Sequence, residues 1–340
     1  MPPQDTPLVS IVLPTYKRAH VLPLAIRSVL AQTYPNWELI VVNDNSPDNT
    51  EAVVKSFDDP RIRYFRNDPN LKLPRTLNRG FSLADGDYLT WTSDDNMLDP
   101  AAIARMVEAL GAGDADFVFA DYFEFADTDV EGSPLEMRQV RQPDVPDMAK
   151  GNSIGACFMY TREVYERIGE YDPNLFLNED YDYWMRLARQ FRIKHIAEPL
   201  YYFRRDEDSL YCSRFSEVRA GSLLVRYKNA YLDSEGVLAG MVDLIMINLD
   251  RHKHLLVRHG YLLCKRLSFR VTRLYERVVR GLVTQQLRRL VGQLLNDYDE
   301  GKQSFNDTRQ ELRDLMNRAA VIEYHSYLRQ NPASSQKSGS

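Results

Sequence analysis

Two short apolar runs, each followed by a stretch with helical spacing, constrain this chain more than any other feature. Val9 to Pro14 reads VSIVLP and Trp37 to Val42 reads WELIVV. Continuous runs of this kind suit strands covered on both faces, as in parallel sheets. Between them, residues 21–32 place Leu22, Ile26, Val29 and Leu30 at helical intervals. The alternation continues. Ser46-Pro47 announces a helix from about Asp48 to Phe57, Arg61 to Phe65 reads as a strand, and Pro74 to Ala84 as a helix. Asp87 to Trp91 is a further strand, Pro100 to Leu110 a helix, and Asp116 to Ala120 a strand. Alternating strands and helices predict right-handed βαβ units and a mainly parallel, Rossmann-like sheet.

The strand at Tyr88 to Trp91 ends in Thr92-Ser93-Asp94-Asp95. Ligands of open α/β sheets bind at the C-terminal edge of the strands. Two adjacent carboxylates there repel each other unless a cation lies close, and Mg²⁺ or Mn²⁺ takes such oxygen donors while keeping positions for substrate phosphates. Taken alone, the segment reads equally well as a surface turn before Pro100. Neither GxGxxG nor GKS/GKT occurs in the sequence, which argues against a dinucleotide dehydrogenase or a P-loop ATPase. A nucleotide bound here needs a metal and basic side chains to hold its phosphates.

A length of 340 residues predicts about two domains. The three cysteines, Cys157, Cys212 and Cys264, are far apart, which excludes a disulfide framework or zinc site and points to a reducing compartment. Pro2-Pro3-Gln4-Asp5 does not read as a signal peptide. The most apolar stretch, Val237 to Ile247, contains Asp243 and is too short to span a bilayer. The expected setting is the cytosol.

The net charge of −5 conceals a split: residues 1–250 carry −14 and residues 251–340 carry +9. From about residue 216 the pattern turns helical. Leu282, Leu287, Leu290, Val291, Leu294 and Leu295 form one apolar stripe, and Phe305, Leu312, Leu315, Ala319 and Ile322 another, predicting two or three amphipathic helices. Residues 251–292 hold 11 basic residues and one acidic, Glu276. Two readings stay open for them. One is a helix pair packing on the N-terminal domain or on a second subunit; the other is a surface for a membrane or an anionic acceptor. No nucleic-acid-binding module is recognisable. The tail, 331–340, reads as disordered.

Four blocks taken together resemble the GT-A fold glycosyltransferases of family two. They are SIVLPTYKR (10–18), SVLAQTYPNWELIVVNDNS (28–46), LNRGFSLADGDYLTWTSDDN (77–96) and NEDYDYWMRL (178–187). The resemblance covers roughly residues 8–212, and none is evident for 216–340. It implies a GT-A catalytic domain over 1–215, followed by a mainly α-helical C-terminal domain over 216–330. It also implies an inverting, metal-dependent enzyme that uses Mn²⁺ or Mg²⁺ and a nucleotide sugar.

By matching position, Pro14, Thr15 and Tyr16 correspond to the segment contacting base and ribose, and Tyr16 offers a ring face to a pyrimidine. Asp44 matches the aspartate that accepts a hydrogen bond from uracil N3. An acceptor-only carboxylate suits a ring N–H, so a UDP-sugar donor is expected. Asp94 and Asp95 match the metal motif, with Asp95 as metal ligand and Asp94 on the ribose or a metal-bound water. Glu179-Asp180 matches the family's ED pair, making Asp180 the general base and Glu179 its orienting or acceptor-binding neighbour. Lys72 and Arg75 are both candidates for the diphosphate.

The chain departs from the family pattern at three places. Asn43 and Asn45 replace an aspartate and a glycine of the usual DDGS, and Asp206 stands where a metal-completing histidine is common. The expected function is transfer of a sugar to an acceptor hydroxyl of a glycan, lipid-linked or protein substrate, as in bacterial surface polysaccharide biosynthesis. The rivals are a catalytically degenerate scaffold and a sugar nucleotidyltransferase. The second would carry a glycine-rich loop after the first strand, and Pro14 to Ala19 has no glycine.

Overall fold

The computed structural model describes residues 6–205, 214–244, 268–302, 305 and 308–312. Contacts divide the chain into two compact units, residues 1–206 and 207–340.

The first unit is a nine-stranded sheet with helices. In chain order its elements begin with β1 (Val9–Thr15), α1 (Leu22–Leu30), β2 (Trp37–Asn43), α2 (Thr50–Lys55), β3 (Ile62–Arg66), α3 (Leu73–Ser82) and β4 (Tyr88–Trp91). They continue with β5 (Met97–Leu98), α4 (Ala102–Gly111), β6 (Phe117–Phe125), β7 (Arg138–Val140), β8 (Phe158–Thr161), α5 (Arg162–Ile168), α6 (Glu179–Leu187) and β9 (Ile193–Arg204). The strand order is β3-β2-β1-β4-β8-β6-β9-β5, with β7 paired to β6. β1 pairs in parallel with both β2 and β4, and β2 with β3.

The sheet is mixed rather than purely parallel. β8 runs antiparallel between β4 and β6, and β5 runs antiparallel to β9, while β6 and β9 are parallel. The short strands β5, β7 and β8 carry too few residues to show a period in the sequence. β6 extends five residues beyond the expected Ala120, because its second half pairs with β7 and β9.

Every residue of β1 and β2 is buried, the outcome expected of strands covered on both faces. α1 places Leu22, Ala25, Ile26 and Val29 in the core. α3 lies so close to β1 that a Cβ on Gly80 would approach a Val12 methyl within 2.3 Å; only glycine permits that approach. A second layer beneath α6 is aromatic. Trp184 packs on Phe117 and Phe158 with ring centroids at 4.9 and 4.5 Å, and Tyr183 stacks on Tyr171 at 4.3 Å. Trp184 is fully buried, so it belongs to the core rather than to an acceptor surface.

The second unit is helical where described: α7 (Phe215–Lys228), residues 234–244, α8 (Ser268–Asp299) and residues 308–312. Leu287, Val291, Leu294 and Leu295 of the expected stripe are buried, as are Phe305 and Leu312. Leu315, Ala319, Ile322 and residues 251–267 of the basic segment lie outside the described residues. Among the described residues no helix is long and apolar enough to cross a membrane.

Candidate active site

The parallel pairing brings the exits of β1, β2 and β4 to one sheet edge, at the point where the order reverses between β2 and β4. That is the topological switch point at which α/β sheets bind ligands. β1 delivers Pro14, Thr15 and Tyr16, β2 delivers Asp44, and β4 delivers Asp94 and Asp95.

Hydrogen bonds pin the loop after β1 from both sides. The Tyr16 amide donates to Asp94 Oδ2 at 3.3 Å, Lys17 N to Ser46 Oγ at 3.1 Å, and Ala19 N to Asp48 Oδ2 at 3.2 Å. Pro14 and Thr15 are buried, whereas Tyr16 is 42% exposed. An exposed ring on so constrained a backbone is available for stacking.

The Asp44 carboxylate already accepts three hydrogen bonds. Oδ1 receives Asn67 Nδ2 at 2.8 Å and Leu71 N at 2.7 Å, and Oδ2 receives Lys72 N at 2.9 Å. Asp44 therefore shapes the 67–72 loop, and a carboxylate with about four acceptor sites keeps one to offer. The same loop carries Lys72 and Arg75 to the start of α3, where both side chains are exposed.

The departures Asn43 and Asn45 have conformational reasons. Asn43 is fully buried, donates to the Tyr64 hydroxyl at 2.9 Å and accepts from Ser46 N at 2.8 Å. An ionised aspartate could not make that donation. Asn45 has φ +62°, the left-handed region that glycine and asparagine tolerate best. Lys17, Lys72 and Leu177 also have positive φ (59°, 69° and 76°), so four such residues flank the candidate site. Sparsely populated backbone of this kind gathers at functional sites.

Asp94 and Asp95 are both well shielded. Burial, with the adjacent Asp95 charge, raises the Asp94 pKa to about 7, against the lowering influence of Thr15, Arg18 and the Tyr16 amide. Asp95 is paired with Arg18 Nη2 at 3.3 Å, the two side chains being 12% and 13% exposed. Arg204, at the end of β9, donates Nε to the Asp95 carbonyl at 3.3 Å and its amide to Asn96 Oδ1 at 2.8 Å. That strand brings the chain to Arg205; Asp206 itself lies outside the described residues.

Asp180 and Glu179 open α6, with Glu179 buried and Asp180 partly accessible. The Asp180 carboxyl pKa is raised by burial, while hydrogen bonds from Tyr181 N (2.7 Å) and Asn152 Nδ2 (2.9 Å) oppose the rise. Trp91, the last residue of β4, meets the Phe158 ring at 5.9 Å, and Phe158 meets Trp184 of α6 at 4.5 Å, which ties α6 to the same part of the sheet. Two anchors hold that tie. Asn78 of α3 exchanges hydrogen bonds with the Tyr171 backbone at 2.8 and 2.9 Å. Arg186 binds Asp182 and the carbonyls of Ile168 and Glu170, so the arginine of the WMRL block is structural.

Two contributors carry no signal in the sequence. Arg18 is visible only as one basic residue of YKR, and nothing in its spacing points to Asp95. Asn152 sits in a segment of irregular structure that matches no motif. Among the described residues no group of three or more His, Cys, Asp or Glu is gathered as a metal cage. The adjacent Asp94 and Asp95 carboxylates nonetheless suit Mg²⁺ or Mn²⁺, which bind through one or two carboxylates plus substrate phosphates and waters.

Comparison with known proteins agrees with this geometry. An uncharacterized glycosyltransferase of Rickettsia felis is 33% identical over 222 residues, covering 62% of this chain. The chain spans only 34% of that relative's length. An uncharacterized glycosyltransferase of Rickettsia typhi is 27% identical over 305 residues, covering 84% of this chain and 91% of the relative. That span exceeds residues 1–215, so the likeness runs into the helical unit, where the sequence alone had suggested none. Among solved structures, Staphylococcus aureus TarS 1–349 in complex with UDP superposes with a TM-score of 0.52 at 17% identity, over 86% of this chain and 92% of that one. The mannosyltransferase PcManGT of Pyrobaculum calidifontis, in complex with GDP-Man and Mn²⁺, gives 0.53 at 14%, over 83% and 88%. At these identities the structural likeness speaks for the fold. Residues 10–169, a little under half of the chain, match glycosyl transferase family 2, and the fold is that of the GT-A glycosyltransferases.

Proposed function

We propose that the protein transfers a sugar from a UDP-sugar to an acceptor hydroxyl with inversion at the anomeric carbon. The observation that supports this reading is that Asp44, after β2, and Asp94, after β4, are both hydrogen-bonded to the exit of β1 at the switch point, while Asp180 opens α6, whose Trp184 packs through Phe158 on Trp91.

In this reading the uracil lies against Tyr16, and its N3–H donates to the acceptor position left on Asp44. Pro14 and Thr15 form the floor beside the ribose. Lys72 and Arg75, at the start of α3, face the diphosphate. Asp95 and Asp94 would hold Mn²⁺ or Mg²⁺, with Asp206 as a further candidate donor. When bound, the ion offsets negative charge on the UDP leaving group.

Asp180 takes the proton of the acceptor hydroxyl as its oxygen attacks the face opposite UDP. Burial makes this carboxylate a stronger base than an exposed one, and a base whose pKa moves toward the working pH is more effective. Asn152 fixes one carboxylate oxygen, leaving the rotation of the other to the Tyr181 amide. Glu179, beneath it, orients the acceptor side. Inversion follows from a single displacement, so an α-linked donor gives a β-linked product.

The acceptor is a glycan, a lipid-linked sugar or a protein hydroxyl, in surface polysaccharide or glycoconjugate synthesis. The catalytic domain spans 1–215, and the helical domain, 216–330, supplies acceptor, membrane-surface or subunit contacts, with the protein acting on the cytoplasmic side. The test is UDP release from a panel of UDP-sugars with Mn²⁺, against GDP-mannose and against EDTA. Release from one or more UDP-sugars, abolished by EDTA, supports the reading; release from GDP-mannose alone overturns the assignment of Asp44.

A further inference from the structure

The Arg18–Asp95 pair has a use beyond holding a loop. Arg18 lies in the first turn leading into α1, where its carbonyl accepts from Val21 N and Leu22 N, so its backbone is fixed. Its guanidinium reaches Asp95 Oδ2 at 3.3 Å, in a site where both side chains are almost fully shielded from water. The same positive charge acts on Asp94. The Arg18 guanidinium thus sits against the carboxylate pair assigned to the metal.

We infer that Arg18 is a built-in counter-ion that occupies the place of the divalent cation until a nucleotide diphosphate arrives. This rests on the metal reading of Asp94 and Asp95 given above.

Charge arithmetic carries the argument. Two carboxylates and one guanidinium leave a net charge of about −1 when both acids are ionised. Adding a divalent ion without nucleotide makes a shielded site net positive and sets two cations against each other at low effective dielectric. A diphosphate brings enough negative charge for both: the carboxylates would hold the metal, and Arg18 turns from Asp95 toward phosphate oxygens, which suit its planar fork. Metal and nucleotide then bind as a unit, and either one alone binds weakly. By linkage, the factor by which UDP strengthens metal binding equals the factor by which metal strengthens UDP binding.

The test uses Mn²⁺ itself, followed by the paramagnetic resonance signal of the free ion. Full-length protein, Arg18→Gln and Arg18→Lys are titrated with and without UDP, after thermal melting establishes that each variant is folded. Without UDP, R18Q is expected to bind Mn²⁺ at least about tenfold more tightly than wild type. R18K, which keeps the charge, should stay within about threefold of wild type. The gain from UDP should shrink in R18Q. The inference is overturned if R18Q binds Mn²⁺ no better than wild type without UDP while UDP still promotes Mn²⁺ binding to wild type. If no protein binds Mn²⁺ in either condition, the metal reading itself falls and takes this inference with it.

Discussion

Carboxylates shielded from water stand at both edges of the same sheet, and they are treated in opposite ways. At the N-terminal edge, Glu38 is fully provided for. Oε1 accepts from Ser10 Oγ at 2.6 Å and Asp85 N at 2.8 Å, Oε2 pairs with Arg63 at 2.5 Å, and Ser10 Oγ in turn accepts from Gly86 N at 2.8 Å. At the C-terminal edge, Asp94 and Asp95 lie next to each other, with the Arg18 guanidinium on the Asp95 carboxylate. A completed network rigidifies a fold. An adjacent acidic pair held by the surrounding strands suits a ligand that brings positive charge.

Five outcomes would break or sharpen this contrast. The largest concerns turnover. Asp180→Asn should lower kcat by about a thousandfold, within the range for loss of a general base, while UDP affinity with Mn²⁺ changes less than about twofold. Steady-state rates beside calorimetric titration separate the two effects, and wild-type turnover in D180N would remove Asp180 from the chemistry. Next, Asp95→Asn should weaken Mn²⁺-dependent UDP binding by more than the roughly 10- to 100-fold typical of losing an outer-shell partner.

At the opposite edge the effect should fall on stability alone. Glu38→Ala leaves Ser10 Oγ and Asp85 N without their acceptor and should cost about 2 kcal/mol, seen as a lowered Tm. The cost stays below that of a wholly buried pair because Arg63 is 35% exposed. UDP affinity should not move; a tenfold loss of it in Glu38→Ala would mean that the two edges are not independent.

The fourth outcome is a pH dependence. The folded-state pKa of Asp94, about 7, lies above its ordinary value of 3.8. The native state therefore holds a proton between these values that the unfolded chain has lost. The stability from this group is full below about pH 4 and is lost as pH rises through 7. Denaturant unfolding of the ligand-free protein at pH 5 and pH 8 should give a smaller fall for Asp94→Asn than for wild type; equal falls would contradict the burial of that carboxyl. The smallest effect belongs to the β2 exit. Asn45→Gly, at φ +62°, should alter stability by less than about 0.5 kcal/mol and leave UDP binding intact. A large loss would mean that the asparagine side chain, which accepts from Arg66 at 2.8 Å, carries more than a turn.

Much of this was legible in the sequence because the residues concerned are local. VSIVLP and WELIVV announced buried strands by composition alone, and the acidic pair after Trp91 marks the sheet edge at which the candidate site lies. Gly80 stands in the LNRG block for a reason that only the packing of α3 on Val12 reveals. What stayed hidden depends on distant pairing. β8 inserts antiparallel between β4 and β6 with only four residues, and no short strand signals its direction. Arg18 meets Asp95 across 77 residues, and Asn152 meets Asp180 across 28. Such contacts are set by where the sheet brings its loops, not by any periodicity.

In the proposed site a divalent ion completes the binding of UDP, and calorimetric titration of UDP into the protein with Mn²⁺, then with EDTA, decides whether it does. Micromolar binding with Mn²⁺ that weakens strongly in EDTA is the predicted result. No binding in either condition, or equal binding in both, would contradict the account.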